Sequence, residues 1–70
     1  MSMKKFEVGR LGQRPVLTVE GETIRRAIFN FAEMADVGIH EKRVHKEEYA
    51  FVTFRRFDKI SVEMLFFAVD

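Results

Sequence analysis

Two apolar segments joined by a short polar link, Tyr49 to Asp70, set what this chain can fold into. Together they hold most of its large apolar side chains. Tyr49–Phe54 is rich in aromatic and β-branched residues, which fit a pleated sheet better than a helix. Arg55 to Lys59 is polar except for Phe57 and contains neither Gly nor Pro. Ile60–Val69 is apolar again and unbroken from Met64. A run this short suits a strand covered on both faces or a buried helix, and periodicity alone does not separate the two. Val62, Phe66, Phe67 and Val69 favour the strand, while Glu63, Met64, Leu65 and Ala68 keep the helix open.

If both segments are strands, the turn between them decides which side chains share a face. A two-residue loop, Asp58-Lys59, would place Thr53 and Arg55 with Val62 and Met64. A three-residue turn, Phe57-Asp58-Lys59, instead groups Ala50, Val52, Phe54, Ile60, Val62, Met64 and Phe66. A one-residue slip exchanges the faces, so the register that segregates apolar from polar is expected. The second face then carries Thr53, Arg55, Ser61 and Glu63 near the turn. Further along lie Tyr49, Phe51, Leu65, Phe67 and Val69.

The N-terminal half supplies the elements to pack on this hairpin. Lys5–Val8 and Val16–Val19 read as short strands linked through Gly12 and Pro15. Thr23 suits a helix N-cap, and Ile24, Ala27, Ile28, Phe31, Ala32, Met34 and Ala35 form one stripe at helical spacing. A helix from about Thr23 to Val37 follows. Gly38 is placed for the left-handed cap and Ile39 for packing back on Met34. Phe29 stands apart among Arg25, Arg26, Glu33 and Asp36, as an exposed or contact residue. Ile39–Glu48 interleaves both charge signs, as a solvated edge strand or loop would.

At 70 residues the chain makes a single domain, 1–70, with a small core. It has no cysteine, hence no disulfide or thiolate metal site. Small unstapled domains often gain stability by associating. A net charge of +1 offers no general attraction to nucleic acid or anionic membrane. No secretory signal or membrane span is evident, which fits a soluble cytoplasmic protein and no membrane partner.

No constellation points to catalysis. His40 and His45 are five apart, on opposite faces of a strand and about 140° apart on a helix, so they cannot share a metal ion. Ser2 and Ser61 lie in no triad context, and no Gly-rich phosphate loop occurs. The expectation is no enzyme, no cofactor and no metal.

Tyr49-Ala50-Phe51-Val52-Thr53-Phe54 resembles the aromatic hexapeptide of RNA recognition motifs. In that family alternate aromatics on an open sheet face stack on single-stranded bases. The resemblance implies Tyr49 and Phe51 as stacking residues, with Val52 and Phe54 towards the core. Phe6 to Leu11 looks a little like the family's first-strand motif. The family's basic residue and glycine before the hexapeptide are Glu47 and Glu48 here, which would repel phosphate. The order hairpin, Thr-capped helix, second hairpin is similar to ubiquitin-like β-grasp domains. Phe6, Val8, Leu11-Gly12, Val16–Val19 and Thr23-Ile24 carry that likeness. The chain ends Val69-Asp70, without the Gly-Gly that conjugation in that family requires.

The expected fold is therefore α+β. Two β-hairpins form a roughly four-stranded sheet with one helix on one face (ββαββ). The alternative is a truncated βαββα arrangement. The expected function is a small binding or regulatory module acting through protein contacts, as a homodimer or with another protein. Its interface would comprise Tyr49, Phe51, Leu65, Phe67, Val69 and Phe29. The alternative is single-stranded RNA or DNA binding through Tyr49, Phe51, Arg55, Lys42 and Arg43. That requires Arg10, Arg14, Lys42, Arg43 and Arg55 to converge on the aromatic face.

Overall fold

A computed structural model describes residues 3–69; Met1, Ser2 and Asp70 lie outside the described residues. The elements in chain order are β1 (Lys4–Arg10), β2 (Leu17–Gly21), α1 (Ile24–Ala35), β3 (Gly38–His45), β4 (Tyr49–Arg56), β5 (Lys59–Ile60) and β6 (Met64–Val69). The chain is thus α+β, with one helix and a six-stranded antiparallel sheet rather than a four-stranded one. The strand order is β2-β1-β6-β4-β3, with β5 paired to β4 beyond the end of β6. The C-terminal apolar run is a strand, so α1 is the only helix among the described residues. The sheet grows beyond four strands because Gly38–His45 pairs with β4 as an edge strand, and because Lys59–Ile60 extends the hairpin tip.

Side-chain alternation explains how the sheet meets the helix. Phe6 and Val8 of β1, Ala50, Val52 and Phe54 of β4, and Phe66 of β6 all project to the helix side and are buried. They meet Ile24, Ala27, Ile28 and Ala32 of α1. Phe31, Phe54 and Phe66 form an aromatic triangle at the centre. Ring centroids lie 5.1 Å apart for Phe31–Phe54 and 5.5 Å for Phe31–Phe66, distances at which tilted and edge contacts are favourable.

Both ends of α1 are held by specific hydrogen bonds. The Arg26 amide donates to Thr23 Oγ1 at 3.1 Å, the N-cap bond expected from the sequence. The Ile24 amide donates to Glu47 Oε1 at 2.8 Å, so the β3–β4 loop caps a helix distant in sequence. At the other end the left-handed residue is Asp36 (φ 57°), not Gly38. The Val37 amide turns back to Ala32 O at 3.0 Å, closing the helix two residues earlier than expected. Asp accepts this conformation, and the early stop lets Val37 and Ile39 turn onto the core while Gly38 opens β3. Ile39 accordingly packs on the core, and Met34 is 72% exposed. Met34 falls on the flank of the buried stripe, and Ala35, although in phase, ends the helix beyond the cover of the sheet.

The C-terminal hairpin keeps the expected register in its body and departs from it at the tip. Ala50 pairs with Phe66 and Val52 with Met64, which places these side chains on the helix side. Near the tip Arg55 pairs with Ile60 and Arg56 with Lys59, so the link is the two residues Phe57-Asp58. The one-residue offset is absorbed at Ser61. Its amide donates to Phe54 O at 2.8 Å, and its hydroxyl accepts from the Phe54 amide at 2.9 Å. As a result Ile60 and Val62 are exposed instead of joining the core face.

The N-terminal hairpin is also longer than expected, and β2 takes in Glu20 and Gly21 while Val16 stays outside it. Gly21 is required by proximity. A Cβ there would lie 2.6 Å from the Ala27 amide nitrogen, so no larger residue fits between β2 and the first turn of α1. Asn30 Nδ2 donates to Glu20 O at 2.9 Å, occupying part of the free edge of β2.

Candidate binding face

Among the described residues α1 covers only one face of the sheet, and strand pairing fixes what the other face displays. Tyr49 pairs with Phe67 and with His45, and Phe67 pairs with Glu7, so one row across the sheet reads Glu7, Phe67, Tyr49, His45. The next row reads Gly9, Leu65, Phe51, Arg43. Val69 beside Lys5 continues the apolar strip towards one end, and Thr53 beside Glu41 continues the face towards the other. Tyr49, Phe51, Leu65, Phe67 and Val69 are therefore contiguous, each half-buried among its neighbours.

These side chains are ordered against one another. The His45 ring stacks on Tyr49 with centroids 4.8 Å apart and planes 22° apart. Tyr49 meets Phe51 edge to face at 5.6 Å. The Arg43 guanidinium lies 5.4 Å from the Phe51 centroid, and its Nη2 is 2.7 Å from Glu63 Oε2. The β1–β2 loop closes one corner. A Cβ on Gly9 would come within 2.8 Å of Pro15 Cα, so only glycine lets the loop lie against this face beside Leu65. The Thr53 hydroxyl is buried and has no hydrogen-bond partner among the described residues.

Five of the six expected interface residues thus meet on one surface, and Phe29 does not. It sits on the outer side of α1, 45% exposed, with the Arg26 guanidinium 5.4 Å from its ring, and the sheet separates it from the open face. The basic residues divide. Arg43 and Arg55 share the parity of the aromatics, whereas Lys42 pairs with Val52 and Arg10 with Met64 on the helix side, and Arg14 lies in the β1–β2 loop. Lys42 is therefore removed from the expected nucleic-acid set by the pleat of β3. Acidic residues Glu7, Glu41 and Glu63 accompany the aromatic strip. Glu47 is turned to the helix N-terminus.

Sequence reasoning missed Glu7 and His45 as members of the face. Their signal is the strand register itself, which only pairing across β1, β6, β4 and β3 makes visible. His40 lies at the β3 irregularity between Ile39 and Glu41. Among the described residues no group of three or more His, Asp or Glu could hold a metal ion, and no helix is long and apolar enough to cross a membrane. Compared with known proteins, the chain matches no family model, no curated protein and no solved structure at a significant level.

Proposed function

We propose that this chain is a non-enzymatic binding module that acts through its helix-free sheet face, and that the face is buried against a second copy of the chain. The observation that carries this reading is the apolar strip Tyr49, Phe51, Leu65, Phe67 and Val69 at the centre of that face, with charges of both signs around it. An apolar centre with a polar rim is the anatomy of a protein interface. Covering the strip also supplements the core of a small domain that has no disulfide. Single-stranded nucleic acid fits this face less well, because the five candidate basic residues do not converge on it and Arg43 is engaged by Glu63.

Sedimentation equilibrium across micromolar concentrations tests the proposal. The expected result is a dimer that Phe67→Asp converts to a folded monomer or to aggregate. A well-folded wild-type monomer throughout that range would refute it. Titration with a single-stranded oligonucleotide at two salt concentrations supplies the contrast. Tight, steeply salt-dependent binding lost in Tyr49→Ala and Phe51→Ala would transfer the face to nucleic acid.

A further inference from the structure

The order of residues along the central row specifies how two copies meet. The row Glu7, Phe67, Tyr49, His45 crosses β1, β6, β4 and β3, with an acidic group at one end, an imidazole at the other and two aromatics between them. Two identical faces that pack together are related by a two-fold axis lying in the plane between them. If that axis runs along the strands between β4 and β6, the row meets its own reverse. Tyr49 then opposes Phe67, Phe51 opposes Leu65, and His45 opposes Glu7. If the axis instead runs across the strands, β1 opposes β1 and β3 opposes β3. That arrangement brings Glu7 towards Glu7 and Arg43 towards Arg43, and like charges facing across an interface are disfavoured.

A further observation favours the first arrangement. Glu7 is half-buried beside Phe67, and no salt bridge to it is formed among the described residues, so a basic partner is free to approach it from outside the chain. Sheets that pack face to face prefer strand lines aligned to within about 30°, which holds for either axis and excludes only a crossed packing. Resting on the pairing proposed above, we infer that the partner is a second copy related by the axis along the strands between β4 and β6, so that Glu7 of each chain faces His45 of the other. Both residues then lie about 7 Å from the axis, one and a half strand spacings away on opposite sides. Within one chain they are three spacings, about 14 Å, apart.

Charge exchange tests the arrangement. His45→Glu sets two carboxylates against each other and is expected to weaken dimerisation by about tenfold or more. Adding Glu7→Lys in the same chain restores opposite charges and is expected to recover most of that loss. Because the chain has no cysteine, engineered thiols give an independent readout. Glu7→Cys/His45→Cys treated with a short bismaleimide should give a covalent dimer, and neither single variant should. A wild-type monomer defeats the pairing itself. A wild-type dimer abolished by Phe67→Asp, but with additive charge effects or with cross-linking of Glu7→Cys alone, keeps the pairing and overturns the arrangement that sets Glu7 against His45.

Discussion

Replacing Phe31 by alanine should be among the most damaging single changes to this fold, and replacing Phe29 among the mildest. Phe31 completes the triangle with Phe54 and Phe66, at 5.1 and 5.5 Å, although its own ring is only partly buried. Truncating a core Phe to Ala costs about 3–5 kcal/mol, and the partial exposure of Phe31 places it near the lower end, about 3 kcal/mol. A 70-residue domain has roughly 3.5–10 kcal/mol of stability in total, so a third or more of it would be lost. Phe29, at 45% exposure, leaves no cavity when truncated and gives up only the exposed Arg26 contact, about 0.5–1 kcal/mol. Urea melts of both variants at one fixed protein concentration compare them directly, because association would otherwise shift the midpoints by mass action. The expected result is an unchanged slope with a midpoint shift at least three times larger for Phe31→Ala. Equal shifts would mean that α1 does not present Phe31 to the sheet, and would refute the helical phase on which the core depends.

Glu47→Ala removes the acceptor of the Ile24 amide and should cost about 1–2 kcal/mol, with faster hydrogen exchange localised to the first turn of α1. A loss spread evenly over the domain would argue against this long-range cap. Phe57 is 88% exposed and holds a left-handed backbone conformation (φ 58°) that bulky residues resist. Phe57→Asn should therefore leave stability unchanged or raise it by up to about 1 kcal/mol in a thermal melt. A clear loss of stability would show that the Phe57 ring makes contacts its exposure does not reveal.

Much of this architecture is local in origin and so is legible along the chain. The stripe from Ile24 to Ala32 and the Thr23 cap specify α1, because helix periodicity and capping need only neighbours within a turn. The alternation in Tyr49–Phe54 specifies β4 and the two faces it serves, because the pleat has a period of two. What involves residues distant in sequence is decided by the assembled fold. Helix termination at Asp36 follows from where Val37 and Ile39 must turn to reach the core, so the Gly at position 38 is a misleading signal. The tip at Phe57-Asp58 closes in two residues because Ser61 repairs the register with its hydroxyl, a contact no propensity encodes. Glu47 and Glu48 look alike in sequence, yet only Glu47 caps the helix, because the β3–β4 loop brings it to the Ile24 amide. The candidate face has the same dual origin. Its aromatics follow from alternation within single strands, whereas the row from Glu7 to His45 exists only through pairing across four strands, which brings side chains 38 positions apart in sequence onto one surface.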